Sequence, residues 1–231
     1  MRPPRRAVTL DGMPRLLIAD DHPLFRAALH QAALAALDDG SIGEACDLPG
    51  TLDALGAEPD TDLVLLDLHM PGSRGLSGLA TLRGQFPAVA VMVVSAHDEP
   101  RVVRRVLDHG AAGFISKSAS PGEITTAIRT VLDCGEWVPP HLGESVAALP
   151  SDPNDSELAA RLSRLTAQQY RVLGLLAEGL LNKQIADRLA IQERTVKAHV
   201  TAIFEKLGVR NRTQASMLLR TLDLIDPARV D

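Results

Sequence analysis

The first half of the chain alternates short apolar runs with segments of helical periodicity, and does so five times. The apolar runs are rich in Val, Ile and Leu and too short for helices; they are RLLIAD (15–20), SIGEAC (41–46), DLVLLD (62–67), VAVMVVS (89–95) and GFISK (113–117). Apolar residues at three- and four-residue spacing predict helices over 23–37, 50–56, 75–86, 100–109 and 121–134. This alternation predicts an α/β domain, a doubly wound five-stranded parallel sheet with a ligand site at the carboxyl ends of its strands.

The second half of the chain has only helical patterns. The capping box Thr166–Gln169 starts a helix that ends at Gly179. Further helices are predicted over 182–189, 193–207 and 211–222. A short helix, a tight turn and a longer helix form a helix-turn-helix arrangement, so we expect an all-α domain of four helices of this type.

Prolines and polar residues separate the two halves. Four prolines and scattered Ser, Asp and Asn within 139–160 indicate an exposed linker, in which a helical turn over 141–149 is left open. We therefore divide the chain into a flexible N-terminal extension (1–13), the α/β domain (14–138), the linker (139–160) and the helix-turn-helix domain (161–231).

Charge is distributed unevenly between the two domains. Residues 14–138 carry nine basic and 17 acidic side chains, a balance of −8, whereas residues 161–222 carry 11 basic and four acidic side chains, a balance of +7. A polyanion such as DNA would be repelled by the first domain and attracted by the second.

The composition excludes several classes of protein. Apolar residues make up 45% of the chain, too many for a disordered protein, and no apolar run approaches the roughly 18 residues of a membrane span. Cys46 and Cys134 fit neither a disulfide framework nor a metal motif, which favours a reducing cytoplasm. We expect no membrane partner.

Polar residues follow four of the predicted strands. Asp20 and Asp21 follow the first strand, Asp67 ends the third, Ser95 ends the fourth and Lys117 ends the fifth. Because these strand ends meet at one edge of the sheet, the three carboxylates would repel one another unless a divalent cation such as Mg²⁺ lay among them. The set fits an aspartate that accepts a phosphoryl group, although each residue alone is more often a helix cap or a solvated side chain.

Two groups of motifs resemble known families. The motifs of 15–136 resemble the receiver domain of two-component response regulators: IADDHPLFR (18–26), LVLLDLHMPGSRGL (63–76), VVSA (93–96) and GAAGFISKS (110–118). The motifs of 161–222 resemble the DNA-binding domain of the NarL/FixJ (LuxR-type) class: LTAQQYRVLGLLAEGLLNKQIADRL (165–189), ERTVKAHV (193–200) and FEKLGVRNRTQA (204–215). The resemblance implies a CheY-like, flavodoxin-like receiver fold and a phosphorylation-dependent transcription factor rather than an enzyme.

The resemblance also implies roles for the residues at the strand ends. Asp67 matches the aspartate that accepts the phosphoryl group. Asp20, Asp21, Asp67 and the backbone carbonyl of His69 match the ligands of Mg²⁺, the expected cofactor. The receiver would thereby assist its own phosphoryl transfer and dephosphorylation.

Three further residues match the lysine and the switch positions of receivers. Lys117 matches the lysine that pairs with the phosphoryl oxygens, Ser95 the hydroxyl that turns inward to bind them, and Phe114 the aromatic residue that moves with that hydroxyl. The sequence departs from the commonest pattern at Ser118, where many receivers have proline, and at Phe114, which lacks a phenol. Neither departure removes a catalytic group.

The helix predicted over 193–207 has two distinct faces. Val196, Val200, Ile203 and Leu207 form a stripe that should face the core, and the opposite face carries Arg194, Lys197, Ala198 and Thr201. A basic helix face taken alone is usually only solvated. By resemblance, Lys197, Ala198 and Thr201 approach base edges in the major groove, and the candidates for phosphate contacts are Lys183, Thr195, His199, Lys206 and Arg212. His199 is also a candidate for a buried packing residue.

The resemblance implies several partners. These are a sensor histidine kinase, double-stranded promoter DNA, a second copy of the chain when phosphorylated, and RNA polymerase as a further candidate. The acidic receiver is expected to lie against the basic domain in the resting state and to mask its recognition helix.

Two other functions stay open. A phosphohydrolase would share the aspartyl-phosphate chemistry, with His69 as a candidate general acid. An atypical receiver that never takes up phosphate would act as a constitutive DNA-binding or docking module.

Overall fold

The computed structural model describes residues 13–37, 39–73 and 75–222. The predicted N-terminal extension lies outside the described residues except for Met13, and so do residues 223–231 of the second domain. In this described part of the chain, no helix is long and apolar enough to cross a bilayer.

The first domain is built on a five-stranded parallel sheet. Its strands are β1 (Arg15–Ala19), β2 (Ser41–Ala45), β3 (Leu63–Asp67), β4 (Ala90–Ser95) and β5 (Gly113–Ser116). The strands lie in the order β2-β1-β3-β4-β5, and every neighbouring pair is parallel. This is the predicted doubly wound sheet, in which the strand order reverses direction beside β1 and β3.

Helices cover both faces of this sheet. On one face lie α1 (Pro23–Ala36) and α5 (Pro121–Leu132), and on the other lie α2 (Leu48–Ala57), α3 (Ser77–Gln85) and α4 (Pro100–Asp108). Every residue of the central strand β3 is therefore buried, which explains its continuous apolar sequence. The carboxyl end of β3 therefore lies at the centre of the sheet, with paired strands on both sides.

The segment between the domains has more structure than the sequence predicts. It contains a 3₁₀ turn (Pro140–Leu142), helix α6 (Gly143–Ala147) and helix α7 (Pro153–Leu162). Pro140 and Pro153 lie at helix starts, where their missing N–H groups cost nothing, rather than in an open chain. Val146 and Leu158 are buried, so part of 139–160 belongs to the packed core and is not an exposed linker.

The second domain contains the four predicted helices. They are α8 (Ala167–Ala177), α9 (Asn182–Leu189), α10 (Glu193–Leu207) and α11 (Arg212–Arg220). The capping box at the start of α8 is formed by both reciprocal hydrogen bonds between Thr166 and Gln169. Gly208 has a φ of 69° and ends α10 in the left-handed conformation. The helix-turn-helix prediction is confirmed.

The two domains pack against each other through a surface that we call the docking interface. It joins α3 and α4 of the first domain to α7, α8 and the end of α11. Leu158, Leu162 and Leu173 belong to the same apolar cluster as the α3 and α4 side of the sheet. Polar contacts that cross it include Tyr170 Oη to Ser77 O (3.0 Å), Leu76 N to Leu222 O (2.9 Å) and Arg105 Nε to Asp155 Oδ2 (2.7 Å).

Candidate functional site

Three aspartates and a lysine meet where β1, β3 and β5 end; we call this group the acidic pocket. Asp20 and Asp67 are 0% and 2% exposed, and Asp21 is half-buried. Lys117 Nζ lies 2.9 Å from Asp20 Oδ2 and 3.1 Å from Asp67 Oδ2. The structure thus brings together the four charged residues that the sequence analysis assigned to one site.

Backbone N–H groups fix the orientation of the two buried carboxylates. His22 N donates to Asp20 Oδ1 at 2.7 Å, and His69 N donates to Asp67 Oδ1 at 3.2 Å. In each carboxylate the other oxygen, Oδ2, therefore faces Lys117. The carbonyl of His69 as a metal ligand stays a prediction.

His22 is a member of this cluster that the sequence analysis missed. Its Nδ1 lies 2.7 Å from Asp21 Oδ1 and 3.7 Å from Asp67 Oδ2. The available signal was its place directly after the Asp20-Asp21 pair, at the residue that precedes α1. Its ring is a second group, besides Lys117, that contacts these carboxylates.

The donor set of the acidic pocket fits a hard divalent cation. Four residues each offer one ligand atom, and these atoms all lie within 4.8 Å of one another; the residues are Asp20, Asp21, His22 and Asp67. The negative charge of three carboxylates exceeds the single permanent positive charge of Lys117. Asp20 Oδ2, Asp21 Oδ1 and Asp67 Oδ2 are buried, and among the described residues their neighbours of opposite charge or donor character are Lys117 Nζ and the His22 ring, with no further hydrogen-bond donor. Oxygen ligands with excess negative charge are those that Mg²⁺ selects.

The two predicted switch residues lie on adjacent strands beside the acidic pocket. Ser95 is fully buried at the end of β4, and its Oγ accepts a hydrogen bond from His97 N at 3.2 Å. Phe114 on β5 is paired with Val93 and is also fully buried. Since Val93 and Ser95 are two residues apart, Ser95 and Phe114 lie on the same face of the sheet.

Helix α10 has the two faces that the sequence predicts. Val196, Ile203 and Leu207 are buried, and Val200 is half-buried. The side chains of the opposite face are exposed; they are Arg194, Lys197, Ala198 and Thr201. Thr195 and His199 are half-buried, so His199 is neither fully solvated nor a core residue.

The predicted phosphate contacts fall into two groups. Lys183 is exposed at the start of α9. By contrast, Lys206 Nζ donates to Arg164 O at 2.8 Å and to Gln169 Oε1 at 2.7 Å, which ties the end of α10 to the start of α8. Arg212 donates to the carbonyls of Leu176 and Leu180. The side chains of Lys206 and Arg212 therefore already hold helices together.

The expectation that the receiver masks the recognition helix is wrong. The exposed face of α10 stays exposed with the receiver in place, because the docking interface uses α7, α8 and the end of α11 instead. The opposite net charges of the two domains predicted their contact but not which helices would make it.

Two titratable groups are buried at the docking interface. Burial raises the pKa of the Tyr170 phenol to about 12. Burial also lowers the pKa of His109, which is 2% exposed and whose Nδ1 lies 2.9 Å from Arg105 O. Because Arg105 O can only accept, Nδ1 carries the proton of the neutral ring. Both groups stay uncharged at neutral pH.

Comparison with protein families assigns both domains. Residues 16–129 match the response regulator receiver domain, and residues 163–219 match the luxR family of bacterial regulatory proteins. The chain is 41% identical over 215 residues to a glycerol metabolism activator of Pseudomonas putida, a match that covers 91% of this chain and 97% of the relative.

Further relatives and solved structures agree with this assignment. The nitrate/nitrite response regulator protein NarL of Escherichia coli is 33% identical, with 87% of this chain and 93% of the relative covered. A structure of the Salmonella typhimurium RcsB response regulator has a TM-score of 0.54 at 23% identity and covers 90% of this chain and 98% of its own. A structure of two RcsB dimers bound to two parallel DNAs has a TM-score of 0.55 at 23% identity, with 91% and 99% covered. At this identity, the structures establish the fold alone.

Proposed function

The chain belongs to the LuxR-type (NarL) class of DNA-binding two-component response regulators, and on this premise we propose that Asp67 accepts a phosphoryl group from a sensor histidine kinase. The observation that carries the proposal is the position of Lys117, which bridges Asp20 Oδ2 and Asp67 Oδ2. A buried carboxylate beside a positive charge, at the carboxyl edge of the sheet, is suited to phosphoryl transfer.

The chemistry at Asp67 follows from the orientation of its carboxylate. In the transfer, an Asp67 oxygen forms a bond to phosphorus as the P–N bond to the kinase histidine breaks. The departing imidazole keeps the electron pair and takes up a proton. The Lys117 ammonium compensates the negative charge of the phosphoryl oxygens, and the His69 N–H keeps the carboxylate in place.

Asp20, Asp21 and Asp67 would hold Mg²⁺, together with the carbonyl of His69. When bound, this cation supplies positive charge that offsets the three carboxylates and the incoming phosphoryl group. The same pocket would support loss of the phosphoryl group, in which water attacks phosphorus, inorganic phosphate leaves and the Asp67 carboxylate is restored.

Ser95 and Phe114 would report phosphorylation to the docking interface. The Ser95 hydroxyl accepts one hydrogen bond from His97 and keeps its own proton to donate to a phosphoryl oxygen. Movement of Ser95 would change the packing of Phe114, which lies in the same apolar cluster as Val103 and Val106 of α4. Helix α4 in turn carries Arg105, which contacts α7 and the end of α11.

The output would be release of the second domain for dimeric DNA binding. In the docked arrangement the α10 face is already exposed to solvent. We therefore propose that docking limits dimerisation of the chain and the orientation of the second domain, rather than the access of α10 to the major groove of DNA. The RcsB dimers on DNA support a two-fold dimer, which matches two half-sites about one helical turn apart. Lys197, Ala198 and Thr201 would approach bases, with Arg194, Lys183, Thr195 and His199 beside the backbone. Such a factor would act in the cytoplasm, with RNA polymerase as a further partner.

Phosphoryl uptake from acetyl phosphate tests the proposal directly. We expect the full-length protein to take up about one phosphoryl group per chain with Mg²⁺ and essentially none after chelation. Asp67→Asn should abolish uptake, whereas the matched control Asp133→Asn, an exposed aspartate after α5, should leave it unchanged. Uptake that survives Asp67→Asn would refute the assignment of the acceptor.

A further inference from the structure

A cavity of about 800 Å³ lies between the two domains. The receiver wall comes from the start of α2, the loop after β3 and helix α3, and the opposite wall comes from α8, α9 and α11. Its volume is within the range of roughly 300–1,000 Å³ that is typical of small-molecule sites. The proposed phosphoryl switch does not use this space.

Apolar side chains from both domains line the cavity. Leu48, Leu52 and Met70 face it from the receiver, and Leu175 and Leu189 face it from the second domain. An apolar ligand body that removes these surfaces from water is stabilised in proportion to the apolar area that it buries. The cavity therefore favours a ligand with an apolar body that touches both domains at once.

The charged residues of the lining indicate the other end of such a ligand. Arg171 and Arg188 line the cavity with one opposing carboxylate, Glu178, so the lining has a net positive charge. Among the described residues, the ion-pair partner of Arg171 is the exposed Asp53, at 3.5 Å. Arg188 has no ion-pair partner in the part of the chain that the structure describes. Guanidinium groups bind carboxylate, sulfonate and phosphate groups through paired N–H donors.

The wall also has hydrogen-bonding capacity that the protein does not use. Ser73 Oγ and Gln85 Nε2 are buried and have no hydrogen-bond partner among the described residues. A buried polar atom that stays unpaired destabilises the protein, because it has lost its hydrogen bonds to water. A ligand oxygen that reaches either atom would remove this cost.

We propose that the interdomain cavity is a binding site for a small amphipathic anion, with its apolar body between the leucines and its anionic group at Arg171 and Arg188. Because both domains line the site, the ligand binds only the docked arrangement and stabilises it. The effect of this anion on DNA binding rests on the proposed function, whereas binding of the anion in the cavity does not.

Binding of anilinonaphthalene sulfonate, an apolar fluorophore with one sulfonate group, tests the site in the full-length protein. Gly174 lines the cavity, and a Cβ placed there meets no heavy atom within 4 Å. Gly174→Phe should therefore fill the site and weaken binding at least about tenfold, because it occupies the apolar volume. Gly122 on α5 has the same clearance away from the cavity, so Gly122→Phe should bind as the wild type does.

A neutral probe separates the charged part of the site from the apolar part. The double variant Arg171→Gln/Arg188→Gln should weaken the sulfonate about tenfold and change the affinity for neutral phenylnaphthylamine by less than about twofold. Unfolding curves and circular dichroism verify that each variant is folded. Equal binding of the sulfonate by wild type, Gly174→Phe and the double variant would overturn the proposal even if Gly174→Phe were unstable.

The effect on DNA binding has a separate readout. At about ten times its Kd, a ligand that binds only the docked form shifts the docking equilibrium about 11-fold. We expect a corresponding loss of DNA affinity in the unphosphorylated protein. If the sulfonate binds in the cavity and DNA affinity does not change, control of DNA binding by docking is refuted, but the binding site stands. Both measurements use unphosphorylated protein, so a failure of phosphoryl uptake at Asp67 would refute the proposed phosphoryl acceptor without changing either result.

Discussion

At the scale of single residues, the acidic pocket combines aspartates that repel one another with one lysine that attracts them. Asp20 and Asp67 are almost fully buried, and each directs one oxygen at Lys117. Buried carboxylates are tolerated only when a cation or hydrogen bonds compensate them. Lys117 therefore has a structural role in the unphosphorylated protein as well as the proposed role in phosphoryl transfer.

Replacement of Lys117 tests this structural role. Lys117→Met should lower the free energy of unfolding by about 2–4 kcal/mol without Mg²⁺, because it leaves two buried carboxylates without a counter-charge. Added Mg²⁺ should restore part of the loss. Urea denaturation measures both effects, and the exposed Lys183→Met is the control, with an expected change within about 0.5 kcal/mol. A Lys117→Met protein as stable as the wild type would contradict this account.

Two lysines of the second domain should differ in how they bind DNA. Lys183→Ala should weaken binding to all sequences alike and lower the slope of log K against log salt by about 0.9, the value for one phosphate contact. Lys197→Ala should instead cost about 1–3 kcal/mol on the preferred sequence and little elsewhere, because base contacts carry specificity. Titrations of cognate and scrambled duplexes at several salt concentrations would show the difference. Identical behaviour of the two variants would refute the assignment of Lys183 to a phosphate contact and of Lys197 to a base contact.

At the scale of elements, local sequence signals explain where most helices begin and end. Thr166 and Asn211 accept hydrogen bonds from the N–H groups three residues on, and so start α8 and α11. Gly208 ends α10 because its positive φ costs glycine little. These signals depend on neighbouring residues only, which is why the sequence predicts the helices of the second domain so closely.

Two glycine substitutions should change stability in opposite directions. Gly208→Ala should lower the free energy of unfolding by about 1 kcal/mol, because alanine is strained at a φ of 69°. Gly174→Ala in the interior of α8 should raise it by about 0.5–1 kcal/mol, because the helix is maintained and no atom is crowded. Thermal or urea unfolding measures both. A stabilising Gly208→Ala would contradict the left-handed end of α10.

At the scale of the whole molecule, the docking interface couples the receiver to the second domain. Arg105 makes a two-point contact with Asp155, through Nε at 2.7 Å and a terminal nitrogen at 3.1 Å, and also donates to Thr221 O. One side chain of α4 therefore holds both α7 and the end of α11. Because the exposed α10 face is not part of the docking interface, we propose that this contact affects DNA binding through the arrangement of the domains.

Loss of this contact should favour the undocked protein. Arg105→Ala should raise the DNA affinity of the unphosphorylated protein about tenfold, which corresponds to about 1.4 kcal/mol of lost docking energy. Arg101→Ala, an exposed arginine on the same helix, is the matched control and should have no effect. Fluorescence anisotropy on promoter DNA measures both. Equal affinities of Arg105→Ala and wild type would show that this contact does not restrain the second domain.

Tyr170 provides a direct reporter of docking, since it is the single tyrosine of the chain. Burial raises its pKa to about 12, above the ordinary value of about 10. The neutral phenol therefore stabilises the docked protein fully below about pH 10, and this contribution is lost as the pH rises through about 12. Absorbance titration should give a midpoint near 12 in the wild type and a lower midpoint after Arg105→Ala, by at most about one pH unit, because a tenfold loss of docking shifts a linked pKa by no more than that. An ordinary midpoint in the unphosphorylated wild type would contradict burial of Tyr170.

The sequence by itself determined the strands and helices on either side of 139–160, the order of the domains and the charged residues of the acidic pocket. Periodicity identifies which side chains are buried, and parallel strands bring Asp20, Asp67 and Lys117 to one edge whatever the details of packing. Only the tertiary structure decided which surfaces cover one another. It ordered part of 139–160, placed Lys206 and Arg212 in internal contacts, and left the α10 face exposed while forming a cavity beside α8. A periodic pattern specifies that a face is buried but not its partner, because the partner depends on shape and contacts between residues far apart in the chain.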